Sequence, residues 1–164
     1  MAGISGMVTG AVLSKLTASH DGVNARIGAI RSADPSITAP GIRSASPIHV
    51  SVEIADKSGH AHYPALLVYC DKLSNVLKEK FRRFSGRARM TVEVRNSADR
   101  LEPLDSGTDV YVDAVCALLD DSRGDWGSGL FYGGGYEVAY EPIARGGRNF
   151  LQRARVVFEV EISR

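Results

Sequence analysis

Hydrophobic and polar residues alternate in several parts of the chain, and this period of two predicts strands. The alternation is strict over 49–54 and 90–95, and it is clearest over 155–162 near the end of the chain. A continuous apolar run over 65–70 is typical of a strand buried on both faces, and 136–140 is a further candidate. These segments predict a mostly antiparallel sheet of four to five strands.

Helical spacing of apolar residues appears in three other segments. The spacing runs over 4–18, over 23–30 and, most clearly, over 101–121. In the last of these segments acidic residues cluster in the first turns, where their negative charge stabilises the positive end of the helix dipole. Apolar residues at steps of four and three over 73–84 also favour a short helix, with a strand as the alternative for part of 78–84. The predicted fold class is α+β, with helices packed on one face of the sheet.

Residues 31–47 contain three prolines, one glycine and four serines, which oppose regular structure. A segment of this kind is either an extended arm or a flexible linker. The predicted organisation is therefore an N-terminal helical segment (1–30), an extended Pro/Ser-rich arm or loop (31–47) and an α+β core (48–164). Together they are expected to form a single domain.

Composition narrows the class of protein without naming a function. The chain has 164 residues, of which 44% are hydrophobic and 24% charged, as in globular proteins. No apolar run is long enough to cross a membrane, and the first residues lack the pattern of a secretory signal, so we expect neither membrane contact nor secretion. Two cysteines cannot form a disulfide framework.

The net charge of +1 hides two adjacent blocks of opposite sign. Residues 76–100 carry eight cations against three acids, and residues 101–125 carry seven acids against one arginine. The blocks could neutralise each other within the fold, or they could form a positive and a negative edge suited to head-to-tail contacts between subunits. A third hypothesis is phosphate or nucleic-acid binding by the basic block from Arg82 to Arg89.

The chain lacks the patterns that enzymes need. His60 and His62 have a spacing found at some metal sites, but no third ligand is evident. Cys70 and Cys116 stand in apolar surroundings that suit small buried residues. The glycine-rich run 127–135 precedes a predicted strand rather than a helix, so it does not fit a nucleotide cradle. We therefore expect no catalytic residue, no metal and no cofactor.

Three aromatic residues, Trp126, Phe131 and Tyr132, stand among glycines in the segment 122–135. Aromatic side chains in a glycine-rich loop either fold over the core or anchor an interface. The sequence leaves both alternatives open.

Several short stretches resemble the small neck and tail proteins of tailed bacteriophages, most of all the tail terminator (tail completion) family. The resemblance covers roughly residues 60–164. It rests on these stretches and their order: Arg82–Gly86, Arg95–Asp99, Asp109–Val115, Arg123–Gly127 and Gly146–Phe150.

This resemblance implies an α+β subunit without catalytic residues, assembled as a homo-oligomeric ring that is usually a hexamer. Such a ring caps the tail tube and docks it to the head–tail connector or neck protein. The implied location is the neck or tail of a virion assembled in the cytoplasm of a bacterial host. A head-side neck adaptor or stopper protein is the alternative within this class, and direct DNA contact through Arg82–Arg89 is the less favoured alternative outside it.

The candidate subunit-interface residues combine the two charge blocks, the aromatic segment and one arginine from the last resembling stretch. They are Arg82, Arg83, Arg87, Arg89, Asp105, Asp109, Asp113, Trp126, Phe131, Tyr132 and Arg148.

Overall fold

The residues that the structure describes form three helices and eight strands. The computed structural model describes residues 3–51, 54, 62–146 and 148–164. The helices are α1 (Ile4–Leu16), α2 (Val23–Ala33) and α3 (Leu101–Asp121). The strands are β1 (Ser44–Ser46), β2 (Ala65–Ser74), β3 (Ser85–Ala98), β4 (Gly124–Gly127), β5 (Leu130–Tyr132), β6 (Glu137–Tyr140), β7 (Ala144–Gly146) and β8 (Asn149–Ser163).

All eight strands belong to one mixed sheet with the order β1-β2-β3-β8-β5-β4. Among the described strands, β1 and β2 pair in parallel and every other pair is antiparallel. One edge of β8 pairs with the whole of β3. Its other edge pairs in turn with β7, β6 and β5, so the last strand of the chain organises the sheet.

The hydrophobic core lies between the sheet and the helices. Alternate residues of β3 and β8 point to this side, so that Met90 lies opposite Phe158 and Val92 opposite Val156, and each of the four is at most 3% exposed. The apolar side of α3 packs onto these residues, and α1 and α2 complete the layer. Burial of one such side chain stabilises the fold by about 1.5–3 kcal/mol, so this layer is its main support.

The face of the sheet that points away from the helices, here called the outer face, carries a buried charge. Glu93 in the middle of β3 is 2% exposed. Its carboxylate accepts hydrogen bonds from the Tyr69 hydroxyl and the Arg95 guanidinium, each at 2.9 Å. Arg153 and Arg155 lie within 3.9 Å of the same carboxylate. Burial, and next the charge of Glu93, raise the pKa of Tyr69 well above its usual range.

The structure confirms the α+β class and the helices on one side of a mostly antiparallel sheet. The number of strands is larger than the four to five that the sequence predicts. The additional strands β1, β4, β5 and β7 have three or four residues each. In a segment of three or four residues, apolar and polar positions alternate at most twice. The periodicity of the sequence therefore does not reveal these strands.

The predicted helix over 73–84 is wrong. Residues 75–84 form an irregular loop between β2 and β3, and Leu73 belongs to β2. Lys78 and Phe81 in this loop have φ of +49° and +64°, in the left-handed region that a helix excludes. The apolar spacing that suggests a helix is not matched by burial, because Leu77 and Phe81 are exposed.

The structure also differs in detail from two further expectations, the strand over 49–54 and the glycine-rich loop over 122–135. Of the predicted strand 49–54, residues 49–51 are irregular, while residues 52 and 53 lie outside the described residues. The glycine-rich segment 122–135 holds a hairpin formed by β4 and β5. Its tight turn passes through Gly127, Ser128 and Gly129, all with positive φ, which explains the glycines at this point.

Residues 34–43 have neither helix nor strand, but they lie against their own subunit. The Tyr111 hydroxyl donates to the Pro40 carbonyl at 2.9 Å. The Asn24 side chain accepts from the Ile42 amide at 2.7 Å and donates to the Ile42 carbonyl at 3.2 Å. This segment therefore follows the subunit surface between α2 and α3 and leads into β1.

Candidate interaction surfaces

The loop 75–84, here called the basic loop, is exposed along nearly its whole length. Lys78, Lys80, Arg82 and Arg83 are all exposed on it. Among the described residues, no carboxylate lies within ion-pair distance of these four side chains. The four cations of the loop therefore form no ion pair with a carboxylate among the residues that the structure describes.

Apolar side chains share the basic loop with these cations. Val76 is 62% exposed, Leu77 is 47% exposed and Phe81 is fully exposed. Single exposed apolar residues are common, but three within six residues form a local patch. Cations around an apolar centre are typical of a protein contact, in which the apolar residues are buried and the charges form the rim.

The base of the basic loop is fixed by hydrogen bonds. Phe84 and Arg164 exchange two backbone hydrogen bonds of 2.8 and 2.7 Å, which attach the loop to the end of β8. The Asn75 side chain accepts from the Ser85 amide at 2.8 Å. The Glu79 carboxylate accepts from the Ser163 hydroxyl at 2.6 Å. These contacts hold the base while the tip projects.

The second surface is a row of acids on α3, here called the acidic stripe: Glu102, Asp105, Asp109 and Asp113. Their steps of three and four place them on one side of the helix, and all four are exposed. No lysine or arginine in the described parts of the chain lies within ion-pair distance of the four. Partial burial, and next the charge of Asp109, raise the pKa of Asp113.

The acidic stripe runs beside the short strand β6 and the start of β8. The Gln152 amide donates to the Asp105 carboxylate at 3.1 Å. Tyr140 is 49% exposed, and burial, and next the charge of Asp109, raise the pKa of its hydroxyl. Neither neighbour is positively charged, so neither relieves the repulsion among the acids.

The basic loop and the start of the acidic stripe lie at opposite ends of the subunit. The loop is attached beside Arg164, whereas Asp105 contacts Gln152. The twelve residue steps from Gln152 to Arg164 correspond to about 40 Å of strand. In the described parts of the chain, no ion pair joins residues 76–100 to residues 101–125. The two charge blocks therefore do not neutralise each other in one subunit.

Two of the candidate arginines lie apart from the basic loop, on the outer face of β3. Arg87 lies 3.7 Å from Glu159 and 3.8 Å from Glu161. Arg89 lines a shallow depression together with Glu137 and Glu159. The four arginines from Arg82 to Arg89 thus do not form one continuous basic patch.

The three aromatic candidates separate between core and surface. Tyr132 is fully buried and meets Phe158 edge to face, with ring centroids 5.6 Å apart. Trp126 is half-buried, donates to the Ser122 carbonyl at 2.6 Å and packs 5.5 Å from Tyr132. Only Phe131, which is 47% exposed on the outer face, presents much of its ring to solvent. Arg148, also exposed, lies in the turn before β8.

The groups that the sequence singles out for chemistry are not assembled into a reactive site in the described residues. His62 is exposed and His60 lies outside the described residues. No group of three or more potential metal ligands occurs among the residues described. Burial raises the pKa of both Cys70 and Cys116, opposite to the shift that a nucleophilic thiol needs. No helix in the described parts is long and apolar enough to cross a membrane.

Comparison with known proteins gives little further guidance. No family model matches the chain, and no curated protein matches it. A chain of the solved structure "Virion of native gene transfer agent (GTA) particle" is 13% identical with a TM-score of 0.44, and the match covers 96% of this chain and 95% of that chain. Similarity this weak does not specify a function, so the surfaces themselves carry the proposals that follow.

Proposed function

We propose that the protein is a structural component of a virion, and that it forms the ring at the head–tail joint that caps the tail tube and docks it to the connector. The observation that carries this proposal is the position of the basic loop and the start of the acidic stripe, which lie at opposite ends of one chain and form no ion pairs among the described residues. The sequence stretches that resemble tail terminators support the same function. The adaptor or stopper remains the alternative within this class.

Opposite charges at opposite ends favour a head-to-tail contact between identical subunits. The basic loop of one subunit then meets the acidic stripe of the next, and the repeated contact closes into a ring when the rotation per subunit allows. Such charges accelerate association and select the orientation of the contact. Their attraction weakens with salt, because the Debye length falls from about 10 Å at 0.1 M to about 3 Å at 1 M.

A charge-swap experiment tests this contact. The variant Arg82→Glu with Arg83→Glu, and separately the variant Asp109→Lys with Asp113→Lys, should each reduce the oligomer measured by light scattering. Combining all four changes in one chain restores opposite signs across every contact, so the oligomer should return. Arg123→Glu with Arg145→Glu alters the same number of exposed arginines elsewhere and should have no effect. An oligomer that survives both swaps refutes the electrostatic contact.

Binding to purified tail tubes separates the terminator from the alternatives. A terminator binds one end of a tail tube and stops its growth, as seen by electron microscopy of negatively stained tubes. An adaptor or stopper binds the connector instead. Binding to neither tubes nor connectors would refute the proposed location at the head–tail joint.

DNA binding is the second candidate, because the basic loop carries four unpaired cations. It is the weaker one, because Arg87 is paired with glutamates and Arg89 lies beside them. A DNA-binding module would lose affinity steeply with salt, by about 0.9 logarithmic units per neutralised phosphate for each tenfold rise in salt. Affinity for DNA that exceeds affinity for tail tubes at physiological salt would favour this candidate.

A further inference from the structure

Phe81 at the tip of the basic loop is presented in an unusual way. Its side chain is fully exposed, and its φ of +64° lies in the left-handed region. For a residue other than glycine this conformation costs about 1–2 kcal/mol. Since the hydrogen bonds at the base of the loop fix its ends, the tip is held in a shape that displays an aromatic ring. An exposed aromatic residue on a fixed loop is typical of an interface anchor.

A groove of about 480 Å³ lies at the other end of the subunit. It is bordered by the segment 36–40, by the end of β3 and by the first half of α3. Its lining includes Ile37, Pro40, Pro103, Val110 and Tyr111. The volume falls within the range of about 300–1,000 Å³ that is typical of pockets holding organic groups. One aromatic side chain therefore fits with room for neighbouring loop residues.

The groove and the acidic stripe share one helix. Ser106, Gly107 and Val110 line the groove, and Asp105 and Asp109 stand immediately next to them in sequence. On a helix, adjacent residues are about 100° apart, so the groove, whose lining includes Arg43 and Asn96 as well as apolar residues, runs beside a row of acids. This surface complements the basic loop, in which an apolar tip stands among cations.

We propose that the basic loop of one subunit inserts Phe81 into this groove on a second copy of the chain, with Arg82 and Arg83 reaching the acidic stripe beside it. This inference rests on the proposed ring, for which it specifies the contact. The occupant is a second copy because charge and hydrophobic character match on both sides. The two surfaces lie at opposite ends of one subunit, so a subunit does not fill its own groove.

Photo-crosslinking tests the contact in the full-length protein. Phe81 is replaced by the photo-reactive residue benzoylphenylalanine. Unlabelled and isotope-labelled copies of this variant are mixed before irradiation. A crosslink that joins a labelled to an unlabelled peptide then identifies a contact between two chains by mass spectrometry. We expect crosslinks to residues 36–40 or 103–111 of the other copy. The same replacement at Phe131, an exposed aromatic residue on the outer face, is the matched control and should not label the groove.

A groove-filling variant provides the second measurement. Ser106→Trp places a large side chain at an exposed position of the groove and should lower the yield of the Phe81 crosslink about tenfold, the effect of losing one interface anchor. Ser14→Trp adds the same side chain at an exposed position of α1 and should leave the yield unchanged.

Light scattering on the same samples distinguishes a failure of the docking contact from a failure of the self-assembly on which it rests. An oligomer whose Phe81 crosslinks map outside the groove overturns the docking contact and leaves the ring standing. An oligomer whose groove crosslinks survive Ser106→Trp also overturns it. A monomer without crosslinks between chains overturns both the docking and the self-assembly on which it rests.

Discussion

The charge of Glu93 should be essential for the stability of the sheet. Its carboxylate is 2% exposed and lies within 3.9 Å of three guanidinium groups, those of Arg95, Arg153 and Arg155. Glu93→Gln keeps the size of the side chain and removes its charge. Arg95, whose side chain is 3% exposed, then remains buried with the Val50 carbonyl as its other partner.

The expected cost follows from the burial of both charges. Removing one partner of a buried ion pair costs about 3–5 kcal/mol, because the other charge stays uncompensated away from water. For a chain of this length, 1 kcal/mol shifts the melting temperature by about 2–4 °C. The melting temperature of Glu93→Gln should therefore fall by about 6–20 °C, as measured by circular dichroism or calorimetry.

Two comparisons make this prediction specific. Glu159→Gln breaks an exposed pair with Arg87 at 3.7 Å and should cost less than about 1 kcal/mol. Replacing Glu93 and Arg95 together by Gln and Met removes both buried charges, so the double variant should be less destabilised than the sum of the single variants. A melting temperature of Glu93→Gln within 2 °C of the natural protein would refute the reasoning that this charge is buried and paired.

Two other predictions concern the fold. Gly86→Ala should lower the free energy of unfolding by about 3 kcal/mol, because the added Cβ would lie 1.7 Å from the Ser74 carbonyl oxygen. Gly10→Ala, on an open side of α1, should instead raise the free energy of unfolding by about 1 kcal/mol. Urea denaturation measures both changes. Burial raises the pKa of Tyr111 to about 12, so the folded state holds its proton more tightly than the unfolded state and stability should fall as pH rises through 10–12. Tyr111→Phe should reduce that slope in melting curves, and an unchanged slope would contradict the prediction.

The sequence predicts the elements whose period extends over many residues. The alternation over 90–95 in β3 and over 155–162 in β8, and the helical spacing over 101–121 in α3, each repeat one pattern over six or more residues, so an irregularity at one position does not hide the pattern. The basic loop is the counterexample. Its apolar residues have helical spacing by coincidence, and local sequence does not show that Phe81 faces solvent.

The arrangement of the charge surfaces depends on the topology of the fold, which the local sequence patterns do not predict. The two charge blocks adjoin in sequence, yet β3 carries the chain from one end of the subunit to the other between them. The sequence identifies Arg82, Arg83, Asp109 and Asp113, but not their separation. The groove escapes prediction for the same reason, because it joins residues 36–40 to α3 across the fold.

The segment 122–135 shows that a short glycine-rich stretch does not determine which of its aromatic side chains are buried. Leu130 and Tyr132 face the helices because β5 pairs with β8 in one register, and this pairing turns Phe131 to the outer face. A shift of one residue would exchange the two faces. Since the register is fixed by β8 and not by the loop, burial of Tyr132 cannot be predicted from the segment itself.

The mass of the purified protein in solution tests the central claim, head-to-tail self-association through opposite charges, most directly. It is measured by light scattering behind a sizing column at low and at high salt. We expect a discrete species of about six subunits, the closed ring of a head-to-tail contact, that dissociates as salt rises. A monomer at every salt and protein concentration, or an oligomer whose size does not respond to salt, would contradict it.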